Sequence, residues 1–408
     1  MPVPYNSVQV QPSPAPSPPP AVGAILIGSA ASGGLIGTYP APTIADNGTD
    51  SFAASTVLNL EVTHAPPAGW NMFRAIAPGP IDDDGDDVTN EYWVAVGWPG
   101  SAPFTTLASI FASYSDAKEW QQITPGSVFA GLFEGVASDG IETFVIVGRD
   151  SLAPGATPVI HTFVSRWAAT VQRTVGAGFA LGGLFAVAFG GGVWVAVGRN
   201  GEIQSSPDGI VWTHRPQPLV GAVYLNGVTY ANGQFVVVGQ LTPNQVILTS
   251  PDGVTWTSQT PASIAASPNT WLSDIAFGND EFVAVGYDNT NSFAFIVSSP
   301  DGIAWTRRSD VFPPGSIDSR FNFCPHIAYF SGIRAFCTTS ESGDLLPGLH
   351  VSLQGLDQPW SRTFAIGSTQ ELDNVISPNG APLASNGRRL VIAGTTFAIT
   401  RTLNVDTF

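Results

Sequence analysis

The sequence predicts an all-β fold built from repeated units of four short strands, and two observations support this prediction. The first is a turn motif, Ser-Pro-Asp-Gly followed by two residues and Trp-Thr, which occurs at residues 206–213, 250–257 and 299–306. Pro, Asp and Gly favour tight turns, and the flanking segments are rich in the β-branched and aromatic residues that favour strands. Asn232-Gly233, between two apolar runs, indicates a further hairpin turn inside one unit.

The second observation is a strand-like segment that occurs seven times, at intervals of 41 to 57 residues. Its copies cover residues 92–97, 143–148, 193–198, 234–239, 281–286, 333–337 and 390–394. Four-stranded units of this length bury both of their faces only when they stack around a circle. We therefore expect a seven-bladed β-propeller of four-stranded blades, in which the recurring segment is the second strand of each blade.

Seven Trp residues recur with about the same spacing as this strand, and their order predicts how the ring closes. They are Trp70, Trp120, Trp167, Trp212, Trp256, Trp305 and Trp360. The first precedes the first complete unit, whereas the last unit, which ends near Arg401, has no Trp of its own. A strand from residues 55–72 is therefore expected to complete the seventh blade and to leave no open sheet edge. The predicted domains are an extended Pro/Gly-rich arm over residues 1–50 and a propeller over residues 51–408.

Composition and charge exclude several classes of partner. Of the 408 residues 11% are charged, and 15 basic against 31 acidic residues give a formal net charge of -16. This charge repels nucleic acids and anionic membranes, so that neither is an expected partner. The nearest candidate for a membrane span, residues 21–37, is Gly-rich and follows a Pro run, so no membrane-spanning segment is predicted.

The N-terminal region carries a proline run and a segment that resembles known virion proteins. Residues 12–20 read Pro-Ser-Pro-Ala-Pro-Ser-Pro-Pro-Pro, which predicts an extended arm without a core of its own. Residues 34–40 read Gly-Leu-Ile-Gly-Thr-Tyr-Pro and are followed by Pro-Thr-Ile at 42–44. This segment resembles one that recurs in tail fibres and other virion proteins of bacteriophages, although Gly34 and Ala41 replace the Asp and Asn usual there. An ordinary Gly/Pro linker is the alternative interpretation.

The resemblance implies a structural component of a phage particle. Its arm, residues 1–50, would dock on other virion proteins or form a homotrimer with copies of itself. The expected location is the surface of the particle. Whether the attachment is to the tail or to the head stays open.

The repeated turn motif resembles the Asp-box, or BNR, repeat of sialidases and other β-propellers. Asp208 and Trp212 carry the resemblance, and the spacing between them is one residue shorter than in the sialidase consensus. We interpret the motif as a structural turn rather than as a chemical site. The Asp is expected to accept backbone N–H bonds within the hairpin, and the Trp is expected to pack between sheets.

No catalytic constellation can be assigned from the sequence. A sialidase-like site needs three converging Arg residues, a Tyr with a partnering Glu and an Asp acid/base, and repeat position assigns no such set. The five His residues show no ligand spacing, and no nucleophile elbow, zinc motif or phosphate loop is present. The chain is therefore predicted not to be an enzyme and to hold no metal or cofactor. A pair of carboxylates for glycoside cleavage, whose separation is spatial, is the alternative.

Two further features have a structural interpretation and a functional alternative. Asp82, Asp84 and Asp86 alternate as in a calcium loop, but the Glu that completes an EF-hand is missing, so residues 81–87 are interpreted as a solvated loop. Cys324 and Cys337 lie in the sixth unit and are interpreted as small buried apolar residues. A disulfide between them is the alternative.

The candidate ligand-binding residues occupy one position of the repeat, directly after the last glycine of the second strand. They are Trp98, Arg149, Arg199, Gln240 and Tyr287. The loops after the second and fourth strands of a blade open on one face, so these residues are expected to share that face. Aromatic rings stack on sugar rings and Arg forks onto acidic sugars, which predicts a host surface glycan as ligand. The alternative is a set of unrelated loop starts.

These features together predict a phage tail fibre or receptor-binding protein. Its arm would dock on the particle, and its propeller would contact host surface glycans. Two alternatives stay open, a glycan-cleaving spike and a decorative head or tail protein without a ligand.

Overall fold

The structure is a computed structural model, and it describes part of the chain. The described residues are 59–63, 72–79, 92–98, 109–113, 120–123, 131–151, 153, 155–164, 170–179, 181–260, 264, 269–290, 293–308, 323–330, 333–339, 348–352, 361–365, 383–385, 389–393 and 400–404. The chain divides into two units, Met1–Gly34 and Leu35–Phe408, and every described residue belongs to the second. The predicted arm, its virion-like segment, Trp70 and residues 81–87 lie outside the described residues, as do the side chains of Trp98, Cys324 and Cys337.

The described residues form 28 β-strands in seven four-stranded antiparallel sheets, which confirms the predicted all-β class. The first strand is β1 (Asn59–Thr63). The first three sheets contain β2–β5 (Met72–Pro78, Trp93–Trp98, Ser109–Ser113, Trp120–Ile123), β6–β9 (Leu132–Ser138, Thr143–Arg149, Pro158–Val164, Val171–Arg173) and β10–β13 (Leu184–Gly190, Val193–Gly198, Ile203–Ser206, Thr213–His214). The next three contain β14–β17 (Val223–Ala231, Gln234–Leu241, Asn244–Ser250, Thr257–Ser258), β18–β21 (Thr270–Gly278, Glu281–Asp288, Phe293–Ser299, Thr306–Arg307) and β22–β25 (Phe323–Phe330, Ile333–Thr339, Gly348–Ser352, Ser361–Ala365). The seventh contains β26–β28 (Leu383–Ser385, Arg389–Ala393, Thr400–Asn404) together with β1.

The seventh sheet joins the two ends of the described chain. In the other six sheets the strands lie side by side in chain order, whereas here the order is β26, β27, β28 and β1. β1 runs antiparallel to β28, with Leu60 opposite Leu403 and Glu61 opposite Thr402. β1 lies within the interval 55–72 from which the sequence predicts a closing strand.

The sheets pack in chain order through their first strands. β2 contacts β6, β6 contacts β10, and the same relation continues through β14, β18, β22 and β26. β26 also packs against β2, so the last sheet contacts the first. No helix among the described residues has the length and apolar character that would allow it to cross a membrane.

The second strands are apolar on both faces because they are covered by a sheet on each side. In β15, Phe235 and Val237 pack in the cluster shared with the preceding sheet, whereas Val236 and Val238 pack in the cluster shared with the following one. Successive side chains of a strand point to opposite faces, so a strand between two layers needs apolar residues at every position. This requirement explains why the recurring segment is a continuous apolar run.

The three Asp-box motifs form turns between the third and fourth strands of their sheets, and the turn interpretation is confirmed for these copies. Asp208 Oδ1 accepts hydrogen bonds from two successive backbone N–H groups at 2.8 and 2.9 Å, and Asp252 and Asp301 make the same pair of bonds. These backbone N–H groups are the main reason that the pKa of each carboxyl lies below its usual value. Trp212 donates its indole N–H to the Gly209 carbonyl at 3.0 Å and packs between the second and third sheets.

His161, on β8, is a core residue of the second sheet. Its side chain is 0% exposed, and its ring meets that of Phe133 edge-on with 5.2 Å between the ring centroids. Burial lowers the pKa of His161 from 6.5 to about 4, because the charged imidazolium would lose its hydration. His161 is therefore neutral in the folded chain at neutral pH.

Replacing His161 by Leu should remove part of the acid sensitivity of the fold. The unfolded chain takes up a proton at His161 near pH 6.5, and the folded chain does so only near pH 4, so the free energy of unfolding falls as the pH falls between these values. Because proton binding is linked to unfolding, the difference between the two pKa values lowers the free energy of unfolding by about 3 kcal/mol. Urea unfolding at pH 7 and at pH 4 should show His161→Leu losing about 3 kcal/mol less than the wild type. Equal losses in the two proteins would contradict the assignment.

Candidate functional site

The five candidate residues lie at the ends of the second strands, opposite the beginnings of first strands. The opposed backbone pairs are Trp98 with Met72, Arg149 with Leu132, Gln240 with Tyr224, and Tyr287 with Trp271. Arg199 instead forms an isolated antiparallel bridge with Tyr224 of the next sheet. We call this edge of the sheets the rim, and it consists of the five candidates together with Tyr224 and Trp271.

A glycine before each candidate allows the first strand to approach the second very closely. A Cβ atom on Gly239 would lie 1.9 Å from the carbonyl oxygen of Tyr224, and one on Gly286 would lie 1.9 Å from that of Trp271. The corresponding distances in the second and third sheets are 1.9 and 2.1 Å. No side chain fits at these distances, so the glycine that the sequence repeats is required by packing.

Each of these first strands contains an extra residue shortly after the point of close approach. The backbone register shifts between Leu225 and Gly227 in β14 and between Leu272 and Asp274 in β18, and β2, β6 and β10 shift at the same place. An extra residue in one strand bends it and turns a side chain away from the regular alternation. In β14 the residue at the bulge is Asn226.

The bulge residues connect neighbouring sheets by polar contacts. Arg74, at the bulge of β2, donates from Nε to Glu134 Oε2 at 2.7 Å, and Glu134 lies at the bulge of β6. Asn226 donates from Nδ2 to the Leu272 carbonyl of the next sheet at 2.8 Å. The bulges of β2, β6 and β14 therefore direct polar side chains across the boundaries between sheets at the rim.

Arg149 is held in place by a buried carboxylate. Its Nη2 donates to Glu134 Oε1 at 2.8 Å, while Arg74 binds the other oxygen of the same carboxylate. The side chain of Glu134 is 3% exposed and that of Arg149 is 17% exposed. Arg149 is thus the last residue of β7 and half of an ion pair rather than the start of an exposed loop.

The two candidate arginines lie on either side of a glycine pair in the loop before β10. A Cβ atom on Gly182 would lie 2.6 Å from Arg199 Cδ, and one on Gly183 would lie 2.6 Å from Arg149 Cβ. Both glycines have positive φ angles, 125° and 92°, which other residues rarely adopt. The guanidinium carbon of Arg199 lies 5.5 Å from the ring centroid of Tyr224, a cation–π distance.

The aromatic part of the rim centres on Trp271, which the sequence analysis did not identify. Tyr287 is buried and lies against Trp271 with 4.9 Å between ring centroids, whereas Trp271 is half-buried. Tyr287 therefore supports Trp271 rather than offering a free ring face. Gln240 is half-buried opposite Tyr224.

The residues that the sequence analysis missed are Arg74, Glu134, Tyr224 and Trp271. The two-residue turn at Asn232-Gly233 would have allowed residues to be counted back along the hairpin to the partner of Gln240. Counting gives the wrong partner, because the bulge adds a residue to the first strand that no sequence signal marks. Arg74 and Glu134 belong to different sheets, and their contact follows only from the packing of one sheet on the next.

The rim combines forked cationic donors with aromatic rings and the side-chain amide of Gln240. This is the chemistry that binds hydroxyl-rich and acidic sugars. Within the part of the chain that the structure describes, no group of three or more His, Cys, Asp or Glu residues could hold a metal ion.

Comparison with known proteins identifies the fold alone. No family model and no curated protein matches the chain significantly. YCF48 bound to a D1 peptide has a TM-score of 0.55 and 14% identity over 86% of this chain and 96% of that one. The GH74 xyloglucanase from Xanthomonas campestris has a TM-score of 0.59 and 15% identity over 86% of this chain and 54% of that one. The WD40 β-propeller domain of Doa1 has a TM-score of 0.52 and 11% identity over 85% and 98%. The chain therefore has a β-propeller fold, as the sequence predicts, and a likeness at this identity carries no activity with it.

Replacing Gly239 by Ala should destabilise the protein by about 3 kcal/mol, because the new methyl group would overlap the Tyr224 carbonyl. Gly155→Ala is the matched control, since a Cβ atom there meets nothing within 4 Å and the φ angle is not positive. Urea unfolding should show a large loss for the first variant and almost none for the second. Equal stabilities would show that the close approach at Gly239 does not constrain the fold.

Proposed function

We propose that the seven sheets form a closed seven-bladed propeller over residues 51–408, with residues 1–50 as a separate arm. Two contacts support this proposal. β26 packs against β2 in the same way that other first strands pack on one another. β1 supplies the outermost strand of the seventh sheet by pairing with β28. Closure of this kind would leave no sheet with an unpartnered face.

We further propose that the protein is a structural component of a bacteriophage virion whose propeller binds glycans on the host surface. The observation that carries the binding function is the rim, where Arg149, Arg199, Tyr224 and Trp271 lie at the same edge of neighbouring sheets. The virion assignment rests on the resemblance of residues 34–44 to segments of phage fibre proteins. The arm would dock on other virion proteins or form a trimer with copies of itself.

The rim suits sugar recognition because its polar groups are already positioned. Arg149 is fixed by Glu134, and Arg199 is confined by Gly182 and by the ring of Tyr224. A side chain held in its bound conformation loses little entropy when a ligand arrives. Charged donors can then bond to carboxylates or hydroxyls, while the half-buried ring of Trp271 offers an apolar surface.

We propose binding rather than cleavage because of how the carboxylates of the rim are used. Glu134 accepts bonds from two guanidinium groups. Asp150, next to Arg149, accepts bonds from the backbone N–H of Thr157 at 2.8 Å and from its hydroxyl at 2.6 Å. Both carboxylates are therefore occupied by partners within the chain, whereas glycoside cleavage needs a pair of carboxyl groups that face the substrate. Because one structural neighbour is a xyloglucanase, the experiment below also measures whether the protein cleaves glycans.

Arg199→Ala combined with Trp271→Ala should weaken glycan binding by roughly tenfold or more, since a charged hydrogen bond alone contributes about 1.5 to 3 kcal/mol. Both changes leave the Arg74–Glu134–Arg149 contacts intact. Arg215→Ala is the matched control, because Arg215 bonds to Ser205 on the outer part of its sheet. Binding would be measured on arrays of bacterial lipopolysaccharide and capsular polysaccharide, with a reducing-sugar assay on the same glycans.

The outcomes separate the three functions. Loss of binding in the double variant but not in Arg215→Ala supports a glycan-binding rim. Release of reducing sugar would make the protein an enzyme, and failure of the wild type to bind any glycan would favour a decorative protein. Phage particles that carry the double variant should contain the protein in normal amount and adsorb poorly to host cells. Absence of the wild-type protein from particles would contradict the virion assignment.

A further inference from the structure

The edge opposite the rim exposes apolar side chains in a repeated position. The residue after the glycine of each Asp-box is apolar, and its exposure is 50% for Ile210, 40% for Val254 and 53% for Ile303. Val211, which follows Ile210, is 64% exposed, and Ile141, in the turn between β6 and β7, is 70% exposed. We call these five residues the turn face. Because second strands begin at this edge and end at the rim, the two surfaces lie at opposite ends of the sheets.

The turns that form this face are rigid. In the turn between β6 and β7, Asp139 Oδ1 accepts three successive backbone N–H bonds at 2.8, 2.9 and 3.0 Å. In the Asp-box turn of the fifth sheet, Asp301 accepts two such bonds and Trp305 donates its indole N–H to the Gly302 carbonyl at 2.9 Å. Backbone that is fixed in this way loses little entropy when it is covered.

The turns also form a continuous arc from the second sheet to the fifth. Each Asp-box turn lies over the second strand of the preceding sheet: a Cβ atom on Gly209 would lie 3.5 Å from Val145, and one on Gly253 would lie 2.9 Å from Val195. Between the fourth and fifth sheets, the side chain of Gln234 donates to the carbonyl of Asp301 at 2.6 Å. The exposed apolar side chains therefore recur along one edge of four successive sheets.

The turns that form this surface carry only negative charge. The four turns, residues 139–142, 207–212, 251–256 and 300–305, contain five carboxylates and no Lys or Arg. The carboxylates are Asp139, Glu142, Asp208, Asp252 and Asp301. The whole chain carries a net charge of -16. A second copy of the chain or an anionic membrane would bring like charges against this face, which costs free energy.

We propose that the turn face is a docking surface for a second protein, whose contact surface presents apolar side chains surrounded by Lys and Arg. Exposed β-branched residues at a fixed repeat position supply the apolar area, and the carboxylates around them select a basic partner. The turn face and the rim lie at opposite ends of the sheets, so both can be occupied together. The inference is independent of the proposed glycan binding.

The test uses the full chain and a synthetic amphipathic peptide of Leu and Lys, with a second peptide in which Glu replaces Lys. The Leu/Lys peptide should bind and should slow the exchange of backbone amides at residues 207–212, 251–256 and 300–305. Replacing Ile210, Val254 and Ile303 by Ser should weaken binding by roughly tenfold or more. The matched control is Leu181→Ser with Val220→Ser, which changes exposed apolar residues outside the four turns.

The proposal fails under several outcomes. It is overturned if both peptides bind equally, if the protected amides lie elsewhere, or if the triple variant binds as well as the control variant. Sedimentation of the wild type as a dimer that the triple variant does not form would assign the face to a second copy. Binding to vesicles of phosphatidylcholine and phosphatidylglycerol that depends on the same three residues would assign it to a membrane.

Discussion

The structure depends on one close approach, between the carbonyl of a first strand and the glycine at the end of the second strand. At Gly239 and Gly286 this leaves no room for a side chain, since a Cβ atom would lie 1.9 Å from the oxygen. The first strand then gains one residue, which shifts its register against the second strand. Glu134 and Asn226 make their contacts between sheets from such positions. Packing within a sheet and contact between sheets therefore follow from the same local constraint.

The same repeat gives the two edges of the sheets different chemistry. At the rim, the position after the glycine carries Arg, Gln or an aromatic residue, and Tyr224 and Trp271 lie on the first strands of the fourth and fifth sheets. At the other edge, the tight turns carry Asp and a β-branched residue. Backbone N–H groups bond to the three Asp-box carboxylates, Asp208, Asp252 and Asp301, and lower the pKa of each, so these three groups stay anionic. A β-propeller in which one edge carries Arg and aromatic side chains, and the other carries carboxylates and exposed apolar side chains, can bind two unlike partners.

Much of the fold could be predicted from the sequence because its signals are local. Turn chemistry located the hairpins and the Asp-boxes, and apolar runs on the second strands reflected burial on both faces. The β-propeller fold followed from the period of the repeat. The site was less predictable, because the bulges carry no sequence signal and the contact of Glu134 with Arg74 joins residues of different sheets. Trp271 was missed for the same reason, since its place opposite Tyr287 depends on a register that the bulge shifts.

The most direct test of the account is whether β1 closes the ring. Antiparallel pairs alternate between hydrogen-bonded and non-hydrogen-bonded sites, so one of the adjacent pairs Leu60–Leu403 and Glu61–Thr402 suits a disulfide. Each pair would be changed to Cys in a chain with Cys324→Ala and Cys337→Ala, and Glu61→Cys with Leu403→Cys, whose side chains point to opposite faces, is the control. If β1 pairs with β28, at least one matched pair should form a disulfide under mild oxidation and raise the melting temperature. Failure of both matched pairs, or equal cross-linking in the control, would contradict this pairing.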